Sequence, residues 1–412
     1  MTDKDLRAQE VADFSEQRRP DAYLSLSKKI FPRIQRLRRH LHQYPELAFE
    51  EIDTAKVIAA ELDSLDIKVK RGIGKTGVVG LLKGKRDGRT VALRADMDAL
   101  PLVEQTGLPF TSRISGRMHA CGHDAHMAML VGAANILSKC KSEIDGTVKF
   151  LFQPSEEKNP GGAPLMIRDG ALSDVDAIFG QHITNDLPTG KFGFKSGPMM
   201  ASADEIFITV KGKGGHGAKP HETVDPIPIA ATIVSSLQAV ISRMRNPLDP
   251  SVLTIGSIHG GTAPNIIPDE VKLSCTLRTM NERWRKEAHQ LVRRTATEIA
   301  RASGGSCTVE VSHGYPVLVN HEIETRQVHE AAKKLFGKKA CVSCPPVMGA
   351  EDFGYFLQKV PGSFWWIGSG NKRTGATESI HSSKFKIDEQ SLIYGSALLA
   401  FLAIEYLAGK DS

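Results

Sequence analysis

The chain has little cysteine for its length: six residues in 412, at positions 121, 140, 275, 307, 341 and 344. So few thiols, spread so widely, form no disulfide framework, which excludes the small cystine-stapled secreted scaffolds. No apolar run has the length a bilayer requires, so no membrane span is expected. The segment from Met1 to Pro20 is charged and has no apolar h-region. No signal peptide is therefore expected, and a cytoplasmic location is the default. Blocks of one charge sign are missing too. Lys and Arg total 53 against 47 Asp and Glu, and the net +6 is interspersed. Charge this diffuse argues against a nucleic-acid partner, while allowing weak attraction of anionic small molecules. There is no internal repeat and no low-complexity tract. At 41% apolar and 24% charged residues the composition is ordinary, and the length suits two domains or one domain with an insertion.

What the chain does contain is concentrated. His119-Ala-Cys-Gly-His-Asp-Ala-His126 holds three histidines, a cysteine and an aspartate just before an apolar, helix-like run from Met127 to Leu137. Imidazole and thiolate together suit a borderline-soft divalent metal such as zinc or manganese. A lone His or Cys is usually a satisfied core residue, but packing does not account for so dense a cluster. Cys121 has to be reduced to bind. Cys341-Val-Ser-Cys344 has redox or zinc-knuckle spacing, but no second pair accompanies it, so it reads as incidental.

Hydrophobic periodicity places these residues. Apolar positions at helical spacing fall over 22–43 (Ile30, Phe31, Ile34, Leu37, Leu41) and 54–65 (Val57, Ile58, Leu62, Leu65). Strands are expected at Gly77–Leu82, Thr90–Arg94, Thr147–Phe152 and Ala177–Gly180, with a helix at Ala128–Leu137. Such alternation implies an α/β sheet whose functional loops follow the strands. From about 200 to 312 the order becomes β-α-β-β-α-β: Glu205–Lys211, a helix opened by Asp225-Pro226, Val252–Ile258, Glu270–Arg278, a helix through Trp284 and Ile299, and Cys307–Val311. That is a ferredoxin-like sandwich, inserted into the first domain. The expected division is 1–199 and 313–412 for a mixed-sheet catalytic domain, with 200–312 as the insertion. Phe364–Gly368 reads as a strand, and Leu392–Leu407 as a final amphipathic helix after Asp388.

Four further segments carry chemistry. Arg94-Ala-Asp-Met-Asp-Ala-Leu-Pro101 sets Asp96 and Asp98 on one side of an extended chain, either as a capped strand end or as carboxylates orienting a ligand histidine. Gln153-Pro-Ser-Glu-Glu157 follows a strand. Its adjacent acids are either a solvated pair or a metal ligand beside a proton acceptor. Gly180-Gln-His-Ile183 puts His182 at a strand end, and His381 lies in a loop before the last helix. Within the insertion, Gly214-Gly-His-Gly-Ala-Lys-Pro-His221 exposes His216 and His221. Asn265 sits among turn formers, and Arg278 ends a strand. Donors of these kinds suit an oxyanion and a carboxylate; alternatively they are polar loop residues.

In this order, HACGHDAHM, QPSEE and GGHGAKPH, with the earlier stretch Leu37-Arg-Arg-His-Leu-His-Gln-Tyr-Pro-Glu46, resemble the M20 metallohydrolases. The resemblance is to the amidohydrolase branch that includes aminoacylase-like, hippurate hydrolase, N-acetyl-diaminopimelate deacetylase and auxin-conjugate hydrolase enzymes. It runs to Phe385. It implies two divalent metal ions (manganese, zinc, cobalt or nickel) on Cys121, His123, Glu157, His182 and His381. Glu156 would be the general base and Asp98 the orienting carboxylate. His216 would aid the oxyanion, serving the active site of the partner subunit, with Asn265 and Arg278 touching substrate. Asp96 stands where the wider family's H-x-D motif has its His. The insertion would serve as a lid and a dimerisation domain, giving a homodimer or tetramer. Gly349-Ala-Glu-Asp-Phe353 also matches, with Glu351 and Asp352 supporting the site or capping a helix. The implied reaction is hydrolysis of N-acyl-L-amino acids. Two readings compete with it: a carboxypeptidase or dipeptidase on short peptides, and a relative that only binds metal or ligand.

Overall fold

The computed structural model describes residues 19–409. The expectation for Met1 to Pro20 thus lies almost wholly outside the described residues. The chain forms two compact units. The first comprises Met1–Gly197, Val319–Pro345 and Tyr355–Ser412, and the second Pro198–Leu318 with Pro346–Gly354.

The first unit opens with helix α1 (Pro20–Gln43), with a proline at its start and buried Tyr23, Leu26, Ile30, Ile34, Leu37 and Leu41 along one stripe. Helix α2 (Ile52–Asp63) follows, then strands β1 (Lys68–Ile73), β2 (Gly77–Lys83) and β3 (Arg86–Asp96). Helix α3 (His123–Lys139) is buried at every position from His123 to Leu137. Its alanine-rich sequence lets neighbours approach it from all sides. Strands β4 (Asp145–Gln153), β5 (Ala177–Pro188) and β6 (Phe192–Phe194) come next. Because β3 pairs in parallel with both β4 and β5, the carboxyl ends of β3 and β4 lie together.

The second unit contains β7 (Ser202–Lys211), α4 (Pro226–Arg243), β8 (Ser251–His259), β9 (Glu270–Thr279), α5 (Glu282–Ala302) and β10 (Ser306–His313). Its sheet runs β8-β9-β7-β10, antiparallel throughout, which is the ferredoxin-like arrangement. Asp225 caps α4 by accepting the Ile227 N–H at 2.9 Å, and Asn281 caps α5. Alternate residues of β7 and β9 (Ile206, Ile208, Val210; Val271, Leu273, Leu277) pack on Ile229, Ile233 and Leu237 of α4 and on Trp284, Ala288 and Val292 of α5.

Back in the first unit are α6 (Glu322–Phe336), β11 (Cys341–Ser343), β12 (Gly362–Gly370) and α7 (Ser391–Ala408). The completed mixed sheet runs β1-β2-β4-β3-β5-β12-β6-β11. Helices α1, α3 and α7 pack on one another, with Tyr23 edge-on to Phe401 at 5.3 Å. Two expectations need correction here. α7 is not amphipathic: 15 of its 18 residues are buried, so it is apolar on nearly every face. By length and composition it could also cross a bilayer, contrary to the reading that no run is long enough. In this fold 83% of that stretch is buried in the protein core.

Candidate metal centre

Four pieces of the first unit converge beyond the ends of β3 and β4. The first is the loop into α3. Gly122 precedes that helix at φ +87°, and a Cβ there would lie 2.2 Å from Ile183 Cδ1. Only glycine fits, and the turn sets Cys121 and His123 side by side. The second is β5, which continues past His182, so this histidine is mid-strand and not terminal. Its Nδ1–H donates to the Ile183 carbonyl at 2.7 Å, leaving the Nε2 lone pair 3.3 Å from Cys121 Sγ. The third is the turn after β4 that carries Glu156 and Glu157. The fourth is the loop at His381, a non-glycine residue at φ +66°, whose N–H donates to Ala120 O at 2.8 Å.

Asp98 ties these pieces together. Its Oδ1 and Oδ2 accept the backbone N–H groups of Glu156 and Glu157, each at 2.9 Å. Oδ1 also lies 3.3 Å from His123 Nδ1. The imidazole thereby turns Nε2 toward the two glutamates, 4.0 Å from Glu156 Oε2 and 4.0 Å from Glu157 Oε1. His381 Nε2 lies 3.1 Å from that same Glu157 oxygen. His123 Nε2 is buried yet has no hydrogen-bond partner. Three overlapping groups could each hold an ion: Cys121, His123 and His182; Cys121, Glu157 and His381; His123, Glu156 and Glu157. In each, the donor atoms lie within 4.8 Å of one another.

Charge points the same way. Burial pushes the Cys121 thiol well above its usual range, and Glu157, Glu156 and Asp96 add to the effect. Burial and the neighbouring His126 keep His182 neutral, as a ligand requires. Burial also works against charge on His123, but Asp96, Asp98 and Glu157 outweigh it and hold the imidazole up at about 10. A cluster this rich in carboxylates attracts positive charge, and a dication would supply it while ionising the thiol. The nitrogen, sulfur and oxygen donors fit divalent transition metals.

Two other members of the opening cluster, His126 and Asp124, bind elsewhere. His126 uses both nitrogens: Nδ1–H donates to Asp96 Oδ1 at 2.6 Å, and Nε2 accepts the Ile183 N–H at 2.9 Å. Asp96 is further neutralised by Arg94 at 2.6 Å. Asp124, wholly buried, pairs with Arg38 at 2.7 Å and with His42 Nδ1 at 2.8 Å, and His42 Nε2 reaches Glu104 at 3.2 Å. These cations hold Asp124 far below the usual carboxylate range against the effect of burial. This buried chain of charges fixes the first turn of α3, and sequence reasoning missed it as a unit. The i, i+4 spacing of Arg38 and His42 on α1 was its one available signal.

His216, Asn265 and Arg278 belong to the second unit. His216 and Asn265 meet on a small ribbon, where Gly215–His216 pairs with Ile266–Ile267 and the Gly217 N–H donates to Asn265 O at 2.9 Å. His216 Nδ1 accepts the Ala218 N–H at 3.1 Å, which leaves Nε2 as an exposed donor. Arg278 lies on β9 opposite Val252 and Ala203. Glu351 and Asp352 are buried in this unit too, and Glu351 accepts the Phe353 N–H at 2.9 Å.

Comparison with known proteins decides the family. The profile of peptidase family M20/M25/M40 matches residues 92–405. The chain belongs to that family. Thermostable carboxypeptidase 1 of Saccharolobus solfataricus is 43% identical over 373 residues, covering 90% of this chain and 94% of that one. N-acetylcysteine deacetylase of Bacillus subtilis is 40% identical over 378 residues, covering 92% and 97%. Among solved structures, a Bacillus subtilis protein described as a dinuclear metal binding peptidase from the M20 family is 37% identical. It has a TM-score of 0.82, with 92% of this chain and 99% of that chain covered. The M20 chain described here is accordingly a metal-dependent hydrolase acting on amides.

Proposed function

We propose that this M20 hydrolase cleaves N-acyl-L-amino acids to a carboxylic acid and a free amino acid. The observation that carries the reading is the reach of Asp98. One carboxylate places a candidate base, Glu156, and two candidate ligands, His123 and Glu157, around a common space. Cys121, His123, Glu157, His182 and His381 would hold two divalent ions, with manganese or zinc suiting the mixed donors better than magnesium or calcium. Bound there, the ions supply Lewis acidity that acidifies water and polarises an amide carbonyl.

The remaining steps fall to the chain's own side chains. Glu156 accepts the proton of the attacking water and passes it to the leaving amine nitrogen. His216, through Nε2–H, donates to the oxyanion, and Asn265 contributes a further amide donor. Arg278 pairs with the free carboxylate of the amino acid. We place the enzyme in the cytoplasm as a homodimer; the need for a reduced Cys121 supports the compartment.

A second reading, carboxypeptidase action on short peptides, is favoured by the similarity to the Saccharolobus protein. Both substrate types present an amide near a free carboxylate. The deciding experiment is a panel of acetyl-, benzoyl-, long-acyl- and indoleacetyl-amino acids with dipeptides, each assayed with manganese, zinc and cobalt. Turnover concentrated on the acyl-amino acids is expected. Turnover of dipeptides alone would favour the second reading, and metal uptake with no turnover would leave a binding protein.

A further inference from the structure

The turn that presents Glu156 and Glu157 is held by two buried acids, of which Asp98 is one. Asp98 takes the N–H groups of residues 156 and 157. The preceding N–H, of Ser155, donates at 2.8 Å to Oε1 of Glu51, more than a hundred residues earlier in the chain. Glu51 is 0% exposed. Its Oε2 accepts the Thr76 hydroxyl at 2.6 Å, which fixes the carboxylate from its far side.

Glu51 directly precedes α2, where an acid would ordinarily cap the helix. It makes no side-chain cap. Glu46 performs that task, accepting the N–H groups of Asp53 at 3.1 Å and Thr54 at 2.8 Å. Glu51 is thus left free to face the turn. The turn needs an external hold, because Ser155 adopts φ +52°, a region that non-glycine residues sparsely populate. On its other side the Ser155 carbonyl accepts the Gly162 N–H at 2.9 Å. Gly162 itself lies so close that a Cβ would stand 1.9 Å from Pro154 O.

We propose that Glu51 is a positioning residue for the Glu156–Glu157 pair: by accepting the Ser155 N–H it holds the turn in the strained form that directs both carboxylates to the metal centre. The proposal rests on the reading of Glu157 as ligand and Glu156 as base. Glu51 touches neither substrate nor metal in this scheme. Its role lies in the acceptor atom it provides, so an amide in its place should serve nearly as well as the acid.

The test compares Glu51→Gln, Glu51→Ala and Thr76→Val in the full chain. Mn2+ affinity of the metal-free protein is read by calorimetry, and kcat and KM on an N-acetyl-L-amino acid are read separately. For Glu51→Ala, Mn2+ affinity and kcat should each fall by about tenfold or more, with KM little changed. Glu51→Gln should stay within about threefold of wild type in both, because its carbonyl oxygen still accepts the Ser155 N–H. Wild-type values for Glu51→Ala, or a Glu51→Gln as impaired as Glu51→Ala, would overturn the proposal. If Glu51→Ala does not fold, Thr76→Val, which loosens the same carboxylate, must weaken Mn2+ binding; unchanged affinity there would count against it. If the wild type binds Mn2+ but hydrolyses no acyl-amino acid, the catalytic reading fails, and the Mn2+ affinities alone decide the role of Glu51.

Discussion

Cys121 shows how far single residues could be read from sequence. A cysteine two positions from a histidine at the head of an apolar run announced a metal site, and the structure sets its sulfur 3.3 Å from His182 Nε2, 61 residues away in sequence. Glu156 and Glu157 stood out as ligand-type residues in a turn after a strand, and His123 as part of the same cluster as Cys121 at the head of α3. Glu51 did not, because it acts by accepting a backbone N–H and leaves no motif. Asp124 and its partners Arg38 and His42 were nearly as hidden: the i, i+4 spacing of Arg38 and His42 hinted at a shared partner, but nothing in the sequence pointed to Asp124 as that partner. Replacing Cys121 should show whether its sulfur binds metal. Cys121→Ala is expected to lose bound metal and activity together, measured by elemental analysis and turnover, and full retention of both would remove it from the ligand set. For Asp98→Asn, one of two backbone N–H groups loses its acceptor, at a cost of about 1–3 kcal/mol. Metal affinity should fall with it, by about tenfold or more, as read by calorimetry.

The elements differ in how openly the sequence declared them. Strands β3, β4 and β5 announced themselves as short β-branched and aromatic runs, and α4 by its Asp225-Pro226 opening. α6 went unread because its buried face, Thr325, Val328, Ala331, Ala332 and Leu335, is built mostly of small side chains. β1 and β11 are short edge strands with little apolar content to mark them. In the second unit, β7 and α5 are joined by a buried ion pair that no periodicity predicts. Asp204 receives Arg285 at 2.6 and 2.7 Å and His289 Nε2 at 2.9 Å. Burial works against its charge, but Arg285 and His289 win and hold it below the usual carboxylate range. A carboxylate depressed in the folded state stabilises at pH values above its unfolded value, about 3.9, and that stability is lost as pH falls toward the folded value. Asp204→Ala should therefore cost about 3–5 kcal/mol at pH 7, since it strands a buried guanidinium. In urea unfolding the gap to wild type should narrow below about pH 4. A gap independent of pH would show that packing, not charge, joins the two elements.

At the scale of the whole molecule, the alternation of strands and helices and the β-α-β-β-α-β order were enough to anticipate a mixed sheet with a ferredoxin-like insertion. The error over α7 has a plain cause. A helix at the centre of a large unit has no solvent face, so its sequence carries no polar stripe and resembles a membrane span. The proposed homodimer predicts a sedimentation mass of twice the 44.8 kDa chain. A monomer at assay concentrations that retains full turnover would reject it.

The central claim is that Glu156 moves the proton while its neighbours hold the metal. It is tested most directly by measuring bound metal and kcat together in Glu156→Gln. The account predicts wild-type metal content, two ions per chain, with kcat reduced by about 10²–10⁴. Near-wild-type turnover with both ions bound would contradict it.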